Sequence, residues 1–112
     1  MTRTIAATAA ALMLMTAGAL ADPIEGNWKT ASGETAGIGK CGGSFCITLK
    51  TGKYKGKQIG KVALKGKSYV GTVTDPADDK TYSGSATVNG GSMKLKGCAL
   101  KIFCKTQNWS KL

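Results

Sequence analysis

From Ile24 to Trp109 the apolar residues of this chain recur at every second position, and no window sustains the i, i+3, i+4 spacing of an amphipathic helix. Side chains of a strand point alternately to its two faces, so this pattern builds sheet with one buried side. Ile24, Gly26 and Trp28 alternate with Glu25, Asn27 and Lys29, and Phe45, Ile47 and Leu49 alternate with Cys46, Thr48 and Lys50. Val62 and Leu64 alternate with Lys61 and Lys65, while Tyr69 and Val73 share a face with Gly71 between them. Tyr82, Ala86 and Val88 alternate with Thr81, Ser83, Ser85 and Thr87, Met93 and Leu95 with Lys94 and Lys96, and a last strand runs through Phe103 to Trp109. Turn signals separate the runs at Ser32-Gly33, Gly42-Gly43, Lys65-Gly66-Lys67, Asp75-Pro76 and Asn89-Gly90-Gly91. About seven or eight short strands with one apolar face must stack or close to bury it. Gly-rich, evenly spaced strands suit curvature, so the expected fold is all-β, a small antiparallel β-barrel rather than an open sandwich.

The first 21 residues do not belong to that pattern. Arg3 precedes an uncharged Ala/Leu/Met stretch from Ile5 to Met15, and the segment closes on Ala19-Leu20-Ala21. This is the layout of a cleaved secretory signal, and the apolar stretch is short against the roughly 20 residues of a membrane span. Cleavage before Asp22 leaves a single β-barrel domain over residues 22–112, periplasmic or secreted, with no transmembrane segment and expected as a monomer. Without Arg3 the +10 formal charge of the whole chain becomes +9, carried by lysine alone.

So short a domain has a marginal core, and exported domains of this size commonly offset chain entropy with disulfides. Four cysteines, Cys41, Cys46, Cys98 and Cys104, allow three connectivities. If Met93 and Leu95 face inward, Cys98 faces outward; if Phe103 and Trp109 face inward, so does Cys104 face outward, and the two can meet across a hairpin. Gly42 and Gly43 permit a tight reversal between Cys41 and Cys46. The favoured pairs are therefore Cys41–Cys46 and Cys98–Cys104, each contributing roughly 2 kcal/mol in the chain-entropy model. A four-thiolate zinc site is the competing reading, but C-x4-C with C-x5-C departs from usual zinc spacing.

The chain has no histidine, which removes Ser-His-Asp and Cys-His machinery and imidazole metal sites. A two-carboxylate hydrolase remains formally possible, drawing on Glu25, Glu34, Asp75, Asp78 and Asp79, but three of those crowd one turn. Asp75-Pro76-Ala77-Asp78-Asp79 lacks the alternate-position ligands and distant bidentate Glu of a calcium loop and reads as type I turn chemistry. No catalytic residue, metal site or cofactor is expected. Lys53, Lys55, Lys57, Lys61, Lys65 and Lys67 all hold odd positions, so in a strand hairpin over Gly52 to Gly66 they project to one side as a cationic face. Such a face keeps a domain soluble and guards strand edges, or it meets a polyanion. With no Arg in the exported part, bidentate recognition of guanine or phosphate is missing, so the partner expected is an anionic lipid or glycan and no nucleic acid.

Gly26-Asn27-Trp28-Lys29-Thr30, the C-G-G-S-F-C element at 41 to 46, Asp75-Pro76 leading to Lys80-Thr81-Tyr82, and Leu95-Lys96-Gly97-Cys98 running to Gln107-Asn108-Trp109 together resemble the bacterial exported family catalogued as domain of unknown function 2147. The resemblance covers the whole exported part and implies a small β-barrel, a periplasmic or secreted location and no established activity. Similar members often carry Gly just before the Lys-Thr-Tyr element, where this chain has Asp79, and the chain is short between Cys46 and Asp75. The Gly-x-Trp opening also looks like the first-strand signature of lipocalin-type, or calycin, barrels, in which the Trp closes one end beneath a basic residue of a late strand. Lys105 has the parity of Phe103 and Trp109 and is the candidate for that place over Trp28.

Three functional readings follow. The first is a non-enzymatic envelope domain that binds a small amphiphile or an anionic envelope component, with Trp28, Lys105, Gln107 and Trp109 lining the closed end. The second is a carboxylate-based hydrolase, the third a structural or interaction module. A ligand-sized cavity favours the first, paired carboxylates in a cleft the second, and a filled interior the third.

Overall fold

The computed structural model describes residues 22–100 and 102–112; the segment read as a signal lies outside them. Eight strands follow one another as β1 (Gly26–Lys29), β2 (Thr35–Cys41), β3 (Ser44–Leu49), β4 (Gln58–Lys65), β5 (Ser68–Asp75), β6 (Lys80–Asn89), β7 (Ser92–Ala99) and β8 (Phe103–Lys111). Each pairs antiparallel with the next, and β1 pairs with β8 to close the barrel. Closure is brief, through Trp28 opposite Lys111 and Lys29 opposite Ser110, so residues 103–109 of β8 pair with β7 alone.

The inward positions are those the alternation marks, except that Leu64 and Phe103, at the ends of their strands, are exposed. Trp28, Phe45, Ile47, Leu49, Val62, Tyr69, Ala86, Met93, Leu95 and Trp109 are buried in one cluster, to which Ile24, Ala36, Ile38 and Ile59 add. Ile59 is buried out of turn because Ile47 pairs with Gly60 and Thr48 with Gln58, leaving Ile59 as the extra residue of a β-bulge.

Because the strands form an up-and-down meander, the connections β1–β2, β3–β4, β5–β6 and β7–β8 lie at one end of the barrel, and the others at the opposite end with the start of the domain. The β5–β6 connection is a turn built on Asp75, as expected, but one residue longer than a type I turn. Asp79 N–H donates to the Asp75 carbonyl at 2.8 Å, Ala77 N–H donates to Asp75 Oδ1 at 2.9 Å, and Asp79 closes the turn at φ 59°. That left-handed conformation suits Gly and is tolerated by Asp.

Both expected disulfides are formed. Cys98 and Cys104 are direct partners across β7 and β8, and Cys41 and Cys46 join diagonally across the Gly42-Gly43 turn. All four sulfurs are consumed, which leaves no thiolate for zinc. The intact mass of the oxidised protein is accordingly four hydrogens below that of the reduced chain, and non-reducing digestion should release Cys41–Cys46 and Cys98–Cys104 as separate linked peptides. Cross-linked fragments joining the two halves of the chain would contradict this pairing.

Candidate functional site

The two ends of the barrel are built differently. At the end where the domain begins, Ile24 is buried and its carbonyl accepts the Trp28 indole N–H at 2.9 Å. The Tyr69 hydroxyl donates to the Asp22 carboxylate, tying the first residues across the opening. The cation over Trp28 is Lys111, its Nζ 4.8 Å from the ring centroid, and the same ammonium donates to the carbonyls of Pro23 at 3.2 Å and Glu25 at 2.6 Å. Lys105 does not hold that place. The β1–β8 register sets Trp28 opposite Lys111, and Lys105 lies six residues upstream on β8, towards the other end.

That other end opens into a cavity of about 770 Å³. Its deeper wall is apolar, with Ile47, Leu49, Ile59, Leu95 and Trp109, and Thr30, Ser32, Pro76 and Ile102 stand around the mouth. The four residues expected together at the closed end are thus divided. Trp28 seals one end, while Lys105, Gln107 and Trp109 line the cavity from consecutive inward positions of β8.

A row of glycines crosses the wall and meets the cavity at Gly97. Gly71, Gly84 and Gly97 are successive partners across β5, β6 and β7, and Gly97 in turn faces Lys105 on β8. Three neighbouring strands therefore present no side chain at one level of the wall. Val73 leans over two of them: a β-carbon on Gly84 would lie 2.9 Å from Val73 Cγ1, and one on Gly97 3.1 Å from Val73 Cγ2. The sequence reading missed this row because glycine carries no alternation signal; the register of the two turns that join these strands would have aligned it.

The polar groups of the cavity wall are mixed: the Asp75 carboxylate accepts, the hydroxyls of Thr30, Ser32, Thr74 and Tyr82 do either, and the donors stand together on β8. Gln107 Oε1 accepts the Trp109 indole N–H at 3.0 Å, which fixes the amide and leaves its NH2 to face other partners. Lys105 adds an ammonium two residues away on the same face of β8. A lone buried acceptor is absent from this pair, so its complement is an oxygen-rich or anionic group.

The six lysines of the expected cationic face are dispersed. Residues 50–57 form a loop, so strand parity does not govern Lys53, Lys55 or Lys57. Lys53 and Lys55 lie at the open end, Lys57 pairs with Asp79 at 2.9 Å, Lys61 points outward from β4, and Lys65 and Lys67 lie at the β4–β5 turn, a strand length of roughly 25 Å away. The carboxylates are equally scattered, and each is engaged. Glu25 accepts from the Asp22 N–H, Glu34 from the Thr51 hydroxyl, Asp75 from Ala77 N–H, Asp78 from Lys80 N–H and Asp79 from Lys57.

Neither curated proteins nor solved structures give a match to this chain. A family model does, over residues 49–111, from the last residue of β3 through β8. It is described as an uncharacterized protein conserved in bacteria, and it spans most of the cavity wall, including Lys105, Gln107 and Trp109. The chain belongs to this bacterial family of unknown function, DUF2147.

Proposed function

We propose that the chain is a non-enzymatic domain of the bacterial cell envelope that binds a small amphiphile with an anionic head inside its barrel. The observation that carries this reading is the cavity of about 770 Å³, a size typical of small-molecule sites, with apolar walls and a few convergent polar groups. Lys105 and the Gln107 amide supply donors for a carboxylate, sulfonate or phosphate ester, and the apolar wall from Ile47 to Trp109 takes the hydrocarbon. An extracytoplasmic place is supported by two disulfides, by membership of a bacterial family and by the signal-like first 21 residues. The hydrolase reading gains nothing, since no two carboxylates converge on the cavity and each has its own local partner.

The test is native mass spectrometry of protein taken from its own envelope, followed by titration with dodecanoate and dodecanol. The proposal expects a retained acidic amphiphile and tighter binding of dodecanoate. Lys105→Gln should weaken dodecanoate by about tenfold, since a hydrogen bond to a charged group is worth roughly 1.5–3 kcal/mol, and leave dodecanol nearly unchanged. Ala99→Trp, which fills the mouth, should abolish both. An empty native protein that binds neither probe would refute the reading.

A further inference from the structure

The most exposed apolar side chains of the described residues lie side by side. Leu100 is 81% exposed, Ile102 75% and Phe103 67%, all at the tip of the β7–β8 hairpin. The hairpin is pinned at its base by the Cys98–Cys104 disulfide, and Leu100 sits at φ 54°, a left-handed conformation that Leu rarely adopts. The fold thus spends backbone strain to hold large apolar groups out in water, where they gain nothing. Ile102 and Phe103 also rim the cavity mouth, so the patch is continuous with the entrance. At the same end the β3–β4 loop carries Lys53 and Lys55, and β6 begins with Lys80, all exposed; of the aspartates in the β5–β6 turn, Asp79 is paired with Lys57, while Asp75 and Asp78 accept from backbone N–H groups of the turn.

We propose that this end of the barrel docks on an anionic lipid bilayer, with Leu100, Ile102 and Phe103 entering the interfacial layer and Lys53, Lys55 and Lys80 facing the lipid phosphates. Apolar insertion combined with lysine attraction is what holds peripheral proteins to such surfaces, and neither alone suffices at this size. Docked this way, the cavity mouth faces the lipid. An acidic amphiphile can then pass between bilayer and barrel without crossing water, a use that rests on the cargo reading above, although docking itself does not.

Flotation with vesicles of phosphatidylglycerol and phosphatidylethanolamine, against vesicles of phosphatidylcholine alone, tests the docking. The wild type should bind the anionic vesicles, with an affinity that falls steeply as salt rises. Combined Leu100→Ser, Ile102→Ser and Phe103→Ser should weaken binding by about tenfold or more, since burial of one such side chain already approaches that factor. Their exposure means that the thermal transition should hardly move. Lys53→Gln with Lys55→Gln should lower binding by about fivefold per lysine at low salt only. The proposal is overturned if the wild type ignores anionic vesicles at low salt, or if the triple variant binds as the wild type does. It is equally overturned if the wild type sediments as a dimer that the triple variant disrupts, which would make a second copy the occupant. Ala99→Trp and Leu100→Ser separate the two readings: the first should lose cargo and keep vesicle binding, whereas the second, at a residue outside the cavity lining, should weaken vesicle binding and keep cargo when titrated in solution.

Discussion

Trp28→Ala is expected to lower the stability of the oxidised protein by about 3–5 kcal/mol, the range for truncating a fully buried large aromatic. The site cannot collapse around the loss. Trp28 is wholly buried, its ring lies under the Lys111 ammonium, and its indole N–H satisfies the Ile24 carbonyl. Removing it strands that carbonyl, releases the first residues from the barrel end and empties the place where the short β1–β8 closure is made. A domain of this length has roughly 5–15 kcal/mol in all, so the variant should melt some 15–30 °C lower or fail to fold. Thermal and urea unfolding followed by far-ultraviolet circular dichroism measure this. Trp28→Phe keeps one aromatic ring but loses the rest of the indole with its N–H, and should cost about 1–3 kcal/mol, less than the truncation to Ala. A Trp28→Ala variant as stable as the wild type would mean that the barrel end is not closed by this residue.

The alternation along the chain carried the architecture because inward and outward residues differ in kind wherever side chains are large. It carried the cysteine pairing for the same reason: Cys98 and Cys104 both oppose the apolar parity of their strands, and the register makes them partners. β2 is where the pattern falls silent. Its outward Gly37 and Gly39 leave only Ala36 and Ile38 to mark a face, so a strand at the centre of the β1–β3 sheet gives almost no signal. Parity also misleads across a loop. The odd-numbered lysines from Lys53 to Lys67 form one face only if every residue between them is extended, and residues 50–57 are not.

The candidate site was legible as a set of residues and not as a place. Lys105, Gln107 and Trp109 follow from the parity of the last strand, and they do line one wall. Which end they serve depends on the stagger with which β8 meets β1, a long-range register that no local pattern encodes. The open end is defined by a tip of three exposed apolar residues, and the closed end by the Asp22–Tyr69 and Trp28–Ile24 contacts, none of which is a sequence motif.

The glycine row makes the second large prediction. Gly71 lies between Val62 on β4 and Gly84 on β6, and a β-carbon there would run into the carbonyl of Lys61, with the Val62 Cα only 2.9 Å away. Every one of those atoms is backbone, so no rotamer change can make room, and the β4–β5 ladder must part for even one methyl group. Gly71→Ala should therefore cost about 3 kcal/mol or more, at the upper end for overpacking. Gly39→Ala is the matched control: the position is exposed, nothing lies within 4 Å of the added carbon, and its backbone is not left-handed. There the methyl group should be neutral or add up to about 1 kcal/mol, because glycine loses more freedom on folding than alanine does. Urea midpoints of the two variants give the comparison directly. Equal midpoints would mean that the barrel wall is looser at Gly71 than its register implies, and a wall that loose could not hold the cavity open at one level of three adjacent strands. A large gap between them would show that the β4–β5 ladder leaves no room for a side chain at this position.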